Sequence, residues 1–378
     1  MSPEAVKARA IETARRYGAG AVAVAPAFPD GPSRARMRAS LRRGDLATWR
    51  YGDEYARAAT DPSTLLPGAR SVICVAMPYA TPAPAPARAL RGRVSNYAWS
   101  TDYHPRMRAL LSAIAGCVDD AAGRPCTAVA CDTRPLAERA FAARSGLAWI
   151  GKHTNAISPA YGSFVFLGEV VTTLELPPDA PLRKTCGGCR RCVDACPTGA
   201  LRGDYTIDAT RCISDLTQRR DGIPRELRPL VGDWVWGCDL CQLACPPTQN
   251  AGDRGTALDR PVDADTARPP LVDLVTLGSG AFKQRYAGTA MGWRGAAVLR
   301  RNAAVALGNA LDRSSVGALL AALEGDPSPM VRGHAAWALG RIGSPDALSG
   351  LARRVAVEEH GGVREEIHAA LCGNTGGR

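Results

Sequence analysis

Eight of the thirteen cysteines fall into two short groups. Cys186, Cys189, Cys192 and Cys196, followed by Pro197, spell C-x2-C-x2-C-x3-C-P. Downstream stands Cys212 alone, then Cys238, Cys241 and Cys245, the last followed by Pro246. Three closely spaced thiolates can surround three irons of a cubane while backbone amides turn inward toward the sulfides. The fourth ligand then comes from elsewhere, and in two-cluster ferredoxins it comes from the other group. The spacing therefore assigns Cys186, Cys189, Cys192 and Cys245 to one [4Fe–4S] cluster, and Cys196, Cys212, Cys238 and Cys241 to a second. The step from Cys212 to Cys238 is longer than a compact ferredoxin repeat, so the second set depends on a fold that brings Cys212 in. Zinc also takes four thiolates, usually through paired C-x2-C knuckles; three-plus-one spacing with two Cys-Pro steps favours iron–sulfur. Two clusters make a one-electron conduit and leave open the chemistry at its end.

The rest of the chain must position those thiolates and supply that chemistry. A length of 378 residues suggests two or three domains, and 46% hydrophobic residues suit a folded chain. The formal charge of +11 is compatible with a polyanionic partner, although an arginine-rich proteome gives the same bias. No apolar run approaches the eighteen or so residues of a membrane span. The opening MSPEAVKARAIETARRYGAG reads as an amphipathic helix without the apolar core of a signal peptide. The expectation is a cytoplasmic chain whose cysteines hold metal rather than disulfides.

Three regions follow along the sequence. Up to residue 180, helical stretches alternate with AVAVAP (21–26), SVICVAM (71–77), TAVAC (127–131) and FVFLGEVVTTL (164–174), which read as buried strands. RMRALLSAIAGCVDDAAG is an amphipathic stretch, and LAERAFAARSG reads as a helix closed by Gly146. TPAPAPARALRGR (81–93) reads as a surface loop. Residues 181–255 hold the cysteines, and a polar Gly/Pro-rich linker starts at Thr248. Within 256–378, LRRNAAVALGNA, VRGHAAWALGRI and VREEIHAALCGN align at a period of 32, so that Ala306, Ala338 and Ala370 correspond. This is a HEAT-like helical repeat, either a folding cap or a surface for a large partner.

The order and spacing of several motifs resemble the epoxyqueuosine reductase family. They are DPSTLLPGARSV, TDYH, CDTRPLAERAFAARSGLAWIGKHTN, YGSFVFLGE, the cysteine groups with RCISDLTQ, IPRELRPLVG, and GWRGAAVLRRNAAVALGN. The resemblance covers nearly the whole chain. It implies an α+β architecture: a cobalamin-binding α/β domain like that of reductive dehalogenases (1–180), a two-cluster ferredoxin-like domain (181–255), and a linker with a tRNA-binding HEAT-like repeat (256–378). It implies an oxidoreductase that reduces epoxyqueuosine to queuosine at the tRNA wobble position, the clusters passing electrons singly to cobalamin. The expected partners are a tRNA anticodon stem-loop and an external low-potential electron donor, with no membrane and a monomeric chain.

Removing an epoxide oxygen as water takes two electrons and two protons. The resemblance assigns the proton donor to Asp132, which a largely desolvated site would keep protonated; the alternative is that Asp132 caps a helix starting near Pro135. It places Tyr97, Asp132, Lys152, His153, Ala156 and Leu167 at cobalamin, with Asp102, Tyr103 and His104 in the same motif group. His153 can equally be a loop histidine, and Asp102 and His104 can simply tie their loop together. Between 281 and 302 lie five basic residues and no acidic one, with Tyr286 and Trp293 among them. Such a stretch is either a solvated charged face or an RNA surface, and the resemblance makes Trp293, Arg294, Arg301 and Asn302 tRNA contacts. Departures from the family pattern are Ser95 where some members have cysteine, Asp215 at a usually apolar position, and CPPTQ after the last ligands. Two other readings are a corrinoid reductase of small molecules and an electron-transfer protein without a corrinoid.

Overall fold

The computed structural model describes residues 1–82, 90–253 and 262–373. These belong to two compact units. The first comprises Met1–Pro82, Asp102–Thr210 and Asp239–Asp259; the second comprises Ala83–Thr101, Arg211–Cys238 and Arg260–Arg378. The cysteine region, expected as one continuous domain over 181–255, is thus shared, and its middle part 211–238 folds with the helical repeat. The loop expected at 81–93 and the linker from Thr248 fall partly on residues 83–89 and 254–261, outside the described residues.

In the first unit, helix α1 (Pro3–Arg16) starts at Ser2, whose hydroxyl accepts from the Ala5 N–H, and buries Val6, Ala10, Thr13 and Ala14 along one face. Strands β1 (Ala21–Pro26) and β2 (Ser71–Pro78) come from the first two apolar segments. Helix α2 (His104–Ala122) buries Met107, Leu110, Leu111, Ile114 and Val118 at helical spacing and ends at Gly123. There follow β3 (Thr127–Ala130), α3 (Glu138–Arg144), the hairpin β4 (Trp149–Ile150) and β5 (Ala156–Ile157), and β6 (Val165–Thr172). All four expected strand segments join one sheet of order β1-β2-β6-β3, antiparallel throughout.

Central β6 pairs Glu169 with Cys74 on one side and Ala130 on the other, so these side chains share a face. That face, with Val72, Ala76, Leu167 and Val171, packs on Phe141 and Ala142 of α3. Gly168 looks the other way, where a Cβ would lie 2.8 Å from Met107 Sδ and 3.0 Å from Leu111 Cδ1, so α2 lies directly on the sheet. Helix α3 closes at Gly146, as expected. Its φ of 74° and the 2.2 Å that would separate a Cβ from the Ala180 carbonyl oxygen leave no room for another residue.

In the second unit, α4 (Ile213–Leu216) and β7 (Trp234–Trp236) precede the repeat helices α5 (Ala296–Ala310), α6 (Val316–Gly325), α7 (Pro329–Ile342), α8 (Pro345–Val355) and α9 (Gly361–Cys372). The sequence period is visible in the packing. A Cβ on Gly308 would sit 2.9 Å from Ala338 Cβ, and one on Gly340 would sit 2.5 Å from Ala370 Cβ. Arg300 pairs with Asp326 at 2.5 Å, and at the matching place in the next repeat Arg332 pairs with Glu358 at 2.8 Å. Gly308→Ala should therefore overpack α5 against α7 and cost about 1–3 kcal/mol. Gly317→Ala on α6, where no atom from outside the helix lies within 4 Å of the added carbon among the described residues, should stabilise by about 0.5–1 kcal/mol. Thermal denaturation of the two variants checks this, and equal effects would contradict the packing.

Candidate active site

Asp132 stands two residues beyond β3, in the left-handed region with φ 49°. Aspartate tolerates that conformation better than most residues, but it must be held there. Its N–H donates to Glu138 Oε1 at 2.5 Å, so the first residue of α3 holds the loop. The N-cap of α3 is Ala137, without a side-chain cap, so Asp132 does not cap this helix. Its carboxylate instead lies 3.3 Å (Oδ2) from His104 Nε2, and His104 Nδ1 lies 2.6 Å from Asp102 Oδ1. His104 is the first residue of α2, whose N-terminal dipole also favours a carboxylate nearby. Hydrogen bonding to Asp132, then to Asp102, raises the His104 pKa and favours the imidazolium. The Tyr103 ring stacks on Phe166 with 3.8 Å between centroids and on His104 with 4.2 Å, fixing the imidazole plane. The expected desolvation of Asp132 is not seen: its side chain is 60% exposed.

Two carboxyls near Asp132 escaped the sequence reading. Glu138 is half-buried, and burial pushes its pKa up to about 7, with the Asp132 charge adding to that and the Asp132 N–H, Arg139 and His104 opposing it. Glu169, inside the sheet core, is fully buried, and neither oxygen has a hydrogen-bond partner among the described residues. Burial, reinforced by Glu138, raises its pKa well above the ordinary carboxyl range, so it is neutral. The signal for it was a lone acid within the apolar run FVFLGEVV; for Glu138 it was its place in the CDTRP–ER motif.

Lys152, expected at cobalamin, has its ammonium on the cysteine turn: Nζ donates to the Gly187 carbonyl at 2.8 Å and the Cys189 carbonyl at 3.1 Å. Its backbone N–H donates to Cys186 Sγ at 3.4 Å. Cys186, Cys189, Cys192 and Cys245 all lie in the first unit. Burial and the neighbouring thiols raise the pKa values of Cys192 and Cys245, while Thr248 hydrogen bonds oppose the rise at Cys245. Among the described residues, no three His, Cys, Asp or Glu side chains converge on a single ion. Thiols close enough to raise one another's pKa values, with an N–H aimed at one sulfur, fit the ligand set of a cluster. Cys196 and Cys241 belong to the first unit, and Cys212 and Cys238 to the second.

His153 is buried, and burial lowers its pKa to about 4, so the ring is neutral. Its Nδ1 accepts from the Asn155 N–H at 3.2 Å, which leaves the proton on Nε2. That Nε2–H, the Trp149 indole N–H and the Ser158 hydroxyl are buried without partners among the described residues. Ala156 and Leu167 are buried in the cluster beneath α3. Orphaned polar atoms flanking the β4–β5 hairpin fit a polar cofactor held there. Tyr97 lies in the second unit, where its hydroxyl accepts from Trp236 Nε1 at 2.8 Å.

Of the expected tRNA contacts, Trp293 is 48% exposed, and the Arg294 guanidinium stacks 3.6 Å from its ring centroid. Arg301 and Asn302 require correction. Both are fully buried, and their donors face carbonyl oxygens of the same unit: Leu216, Arg219 and Asp221 for Arg301, Thr217 and Val235 for Asn302. Arg300 is buried in its pair with Asp326, and Tyr286 is buried as well. Of the basic residues and of Tyr286 and Trp293 in the stretch, those left accessible are thus Lys283, Trp293 and the partly buried Arg285 and Arg294. Asp215, the departure from the family pattern, is neutralised locally by Arg219, whose Nη2 lies 2.6 Å from its Oδ2.

Family models match the chain as an epoxyqueuosine reductase QueG domain, DUF1730, over residues 60–133, a 4Fe-4S double cluster binding domain over 185–248, and HEAT repeats over 294–372. With the thiol turns and the acid-bearing sheet edge, these define an iron–sulfur oxidoreductase with a C-terminal helical repeat. A Bacillus cereus epoxyqueuosine reductase is 35% identical over 316 residues, 82% of this chain and 83% of that one. A crystal structure of an epoxyqueuosine reductase with an epoxyqueuosine-modified tRNA-Tyr stem loop aligns with a TM-score of 0.93 and 30% identity, covering 99% of this chain and 100% of the other. An epoxyqueuosine reductase from Bacillus subtilis, with its catalytic aspartate loop swung out of the active site, aligns at 0.90 and 30% identity over 98% and 99%. The chain belongs to the epoxyqueuosine reductase family. No helix among the described residues is long and apolar enough to cross a membrane.

The raised pKa of Glu138 has a measurable consequence. The folded chain holds this proton more tightly than the unfolded chain, so stability falls as pH rises from about 4.5 to about 7. Glu138→Gln keeps an acceptor for the Asp132 N–H and removes the titration. Its melting temperature relative to the unsubstituted chain should climb across that window and then level off; a flat difference would place the Glu138 pKa in the ordinary range.

Proposed function

We propose that this chain reduces the epoxide of epoxyqueuosine to the cyclopentene of queuosine within tRNA, with Asp132 delivering a proton to the departing oxygen. The observation that carries this reading is the Asp102–His104–Asp132 chain, which joins a carboxyl at the end of β3 to an imidazole whose proton affinity is raised. When bound, cobalamin would supply the two-electron reduction, and the clusters would supply electrons one at a time. Lys152 holds the turn of the first cluster set, and the His153 Nε2–H, with Ala156 and Leu167 beneath, offers a donor to the corrinoid. The second set is Cys196, Cys212, Cys238 and Cys241, as their spacing indicates. Asp132, once deprotonated, regains a proton through His104, whose other nitrogen is anchored on Asp102. The stacked Trp293–Arg294 pair offers an aromatic face and a cation to an unstacked base of the anticodon loop. An external low-potential donor refills the clusters.

The exposed Asp132 side chain suits this role because a macromolecular substrate can cover it on docking, providing the desolvation that the free chain lacks. The test uses the chain purified anaerobically with clusters reconstituted. Asp132→Asn should bind cobalamin as the unsubstituted chain does, followed by its absorbance spectrum, while conversion of epoxyqueuosine-tRNA falls by at least about 100-fold. Full conversion by Asp132→Asn would sink the proton-donor assignment. Cobalamin binding by the unsubstituted chain without tRNA conversion would favour a small-molecule reductase.

A further inference from the structure

The helical repeat has a face already occupied by the chain itself. Asn302, His334 and Glu366 are spaced by the repeat period, one in each of α5, α7 and α9, at the same place in successive repeats. All three grip the segment between Cys212 and Cys238. Asn302 Nδ2 donates to the Thr217 carbonyl at 2.7 Å and to the Val235 carbonyl at 2.8 Å. His334 Nε2 accepts from the Ile223 N–H at 3.0 Å, with its Nδ1 turned to the Met330 carbonyl at 2.7 Å. Glu366 receives both arms of the Arg228 guanidinium, at 2.7 and 3.0 Å. Burial holds His334 neutral, as an acceptor must be.

The grip is tightest beside the two cysteines. Cys212 is the N-cap of α4, and the last carbonyls of such a short helix have no partner within it. Arg301 Nη2 takes the Leu216 carbonyl at 2.8 Å, and Nη1 takes those of Arg219, at 3.2 Å, and Asp221. Arg301 Nε also donates to Asn302 Oδ1 at 2.9 Å, which orients the amide so that its two N–H bonds face Thr217 and Val235. The Thr217 hydroxyl in turn accepts from the Gly237 N–H at 2.9 Å, next to Cys238. One buried Arg–Asn pair therefore joins the main chain just after Cys212, at Thr217, to the main chain just before Cys238, at Val235.

We infer that the repeat is a clamp for the Cys212–Cys238 segment, and that Arg301 and Asn302 are positioning residues for two thiolates of the second cluster. This rests on the two-cluster reading above. It accounts for the long step between these two ligands: the intervening chain is the strap that lies along the repeat.

The experiment is iron and acid-labile sulfide per full-length chain after anaerobic reconstitution, together with the electron paramagnetic resonance spectrum and midpoint potentials of the reduced protein. Asn302→Ala and Arg301→Met should retain about half the iron of the unsubstituted chain and lose one cluster signal. Asn302→Asp, equal in size but turning oxygen toward the two carbonyls, should do the same or shift one midpoint potential. Arg332→Met, which breaks a bridge inside the repeat without touching the strap, should lower the melting temperature yet keep all the iron. Full iron and unchanged potentials in Asn302→Ala, Asn302→Asp and Arg301→Met would overturn the inference. So would equal iron loss in Arg332→Met, which would mark a folding defect. Half the iron in the unsubstituted chain would overturn the two-cluster reading and the inference with it.

Discussion

Thiolates that hold a cluster must be carried on main chain that does not shift, and this requirement explains more of the structure than any single side chain. Turns rich in cysteine and glycine have little apolar surface of their own to bury, so hydrogen bonds from elsewhere must fix them. In the first unit that work falls to Lys152, with its ammonium on two carbonyls of the turn and its N–H on a sulfur. In the second it falls to Arg301 and Asn302, whose donors face buried carbonyls. A buried guanidinium is costly to desolvate, and burial lowers the Arg301 pKa to about 9. The group stays in place because its N–H bonds meet carbonyl oxygens, and a buried carbonyl left without a donor is also costly.

The same need for fixed main chain operates at the acid. Asp132 sits in the left-handed backbone region, held by one carboxylate and addressed by one imidazole. The sheet behind it is packed on both faces, so the strand that delivers Asp132 has no freedom to slide. The short turn beyond β3 is both left-handed at Asp132 and exposed, and such a turn is suited to adjust when a large substrate arrives. Glu169 remains an oddity of the core: an acid kept neutral by burial between Cys74 and Ala130, without a hydrogen-bond partner among the described residues.

Much of this was legible in the sequence. The four strand segments were bounded to within about two residues, because apolar β-branched runs flanked by polar turns leave little choice. The helical repeat was equally clear, since small residues at Gly308 and Gly340 are needed wherever one repeat helix meets the next. The antiparallel order of the sheet was not legible, as helices between strands fit either sense. Arg301 and Asn302 misled for a physical reason. The type of a polar residue does not tell whether it faces solvent or another segment, and sequence proximity to Trp293 does not reveal which carbonyls wait opposite. For Lys152 the motif was apparent, but its partners Gly187 and Cys189 are far away along the chain and could not be read from it.

On the proposed reading, one chain joins an electron store, an acid and a surface for RNA. Two one-electron clusters hold the two electrons that one epoxide requires. The most direct measurement is therefore a single-turnover reaction: the cobalamin-loaded chain is reduced, freed of reductant, and mixed anaerobically with an epoxyqueuosine-bearing stem-loop, and the nucleosides are weighed by mass spectrometry. The expected product is queuosine, one oxygen lighter, approaching one equivalent per chain without further donor. An unchanged epoxide under these conditions, with clusters and cobalamin shown to be reduced at the start, would contradict the reading.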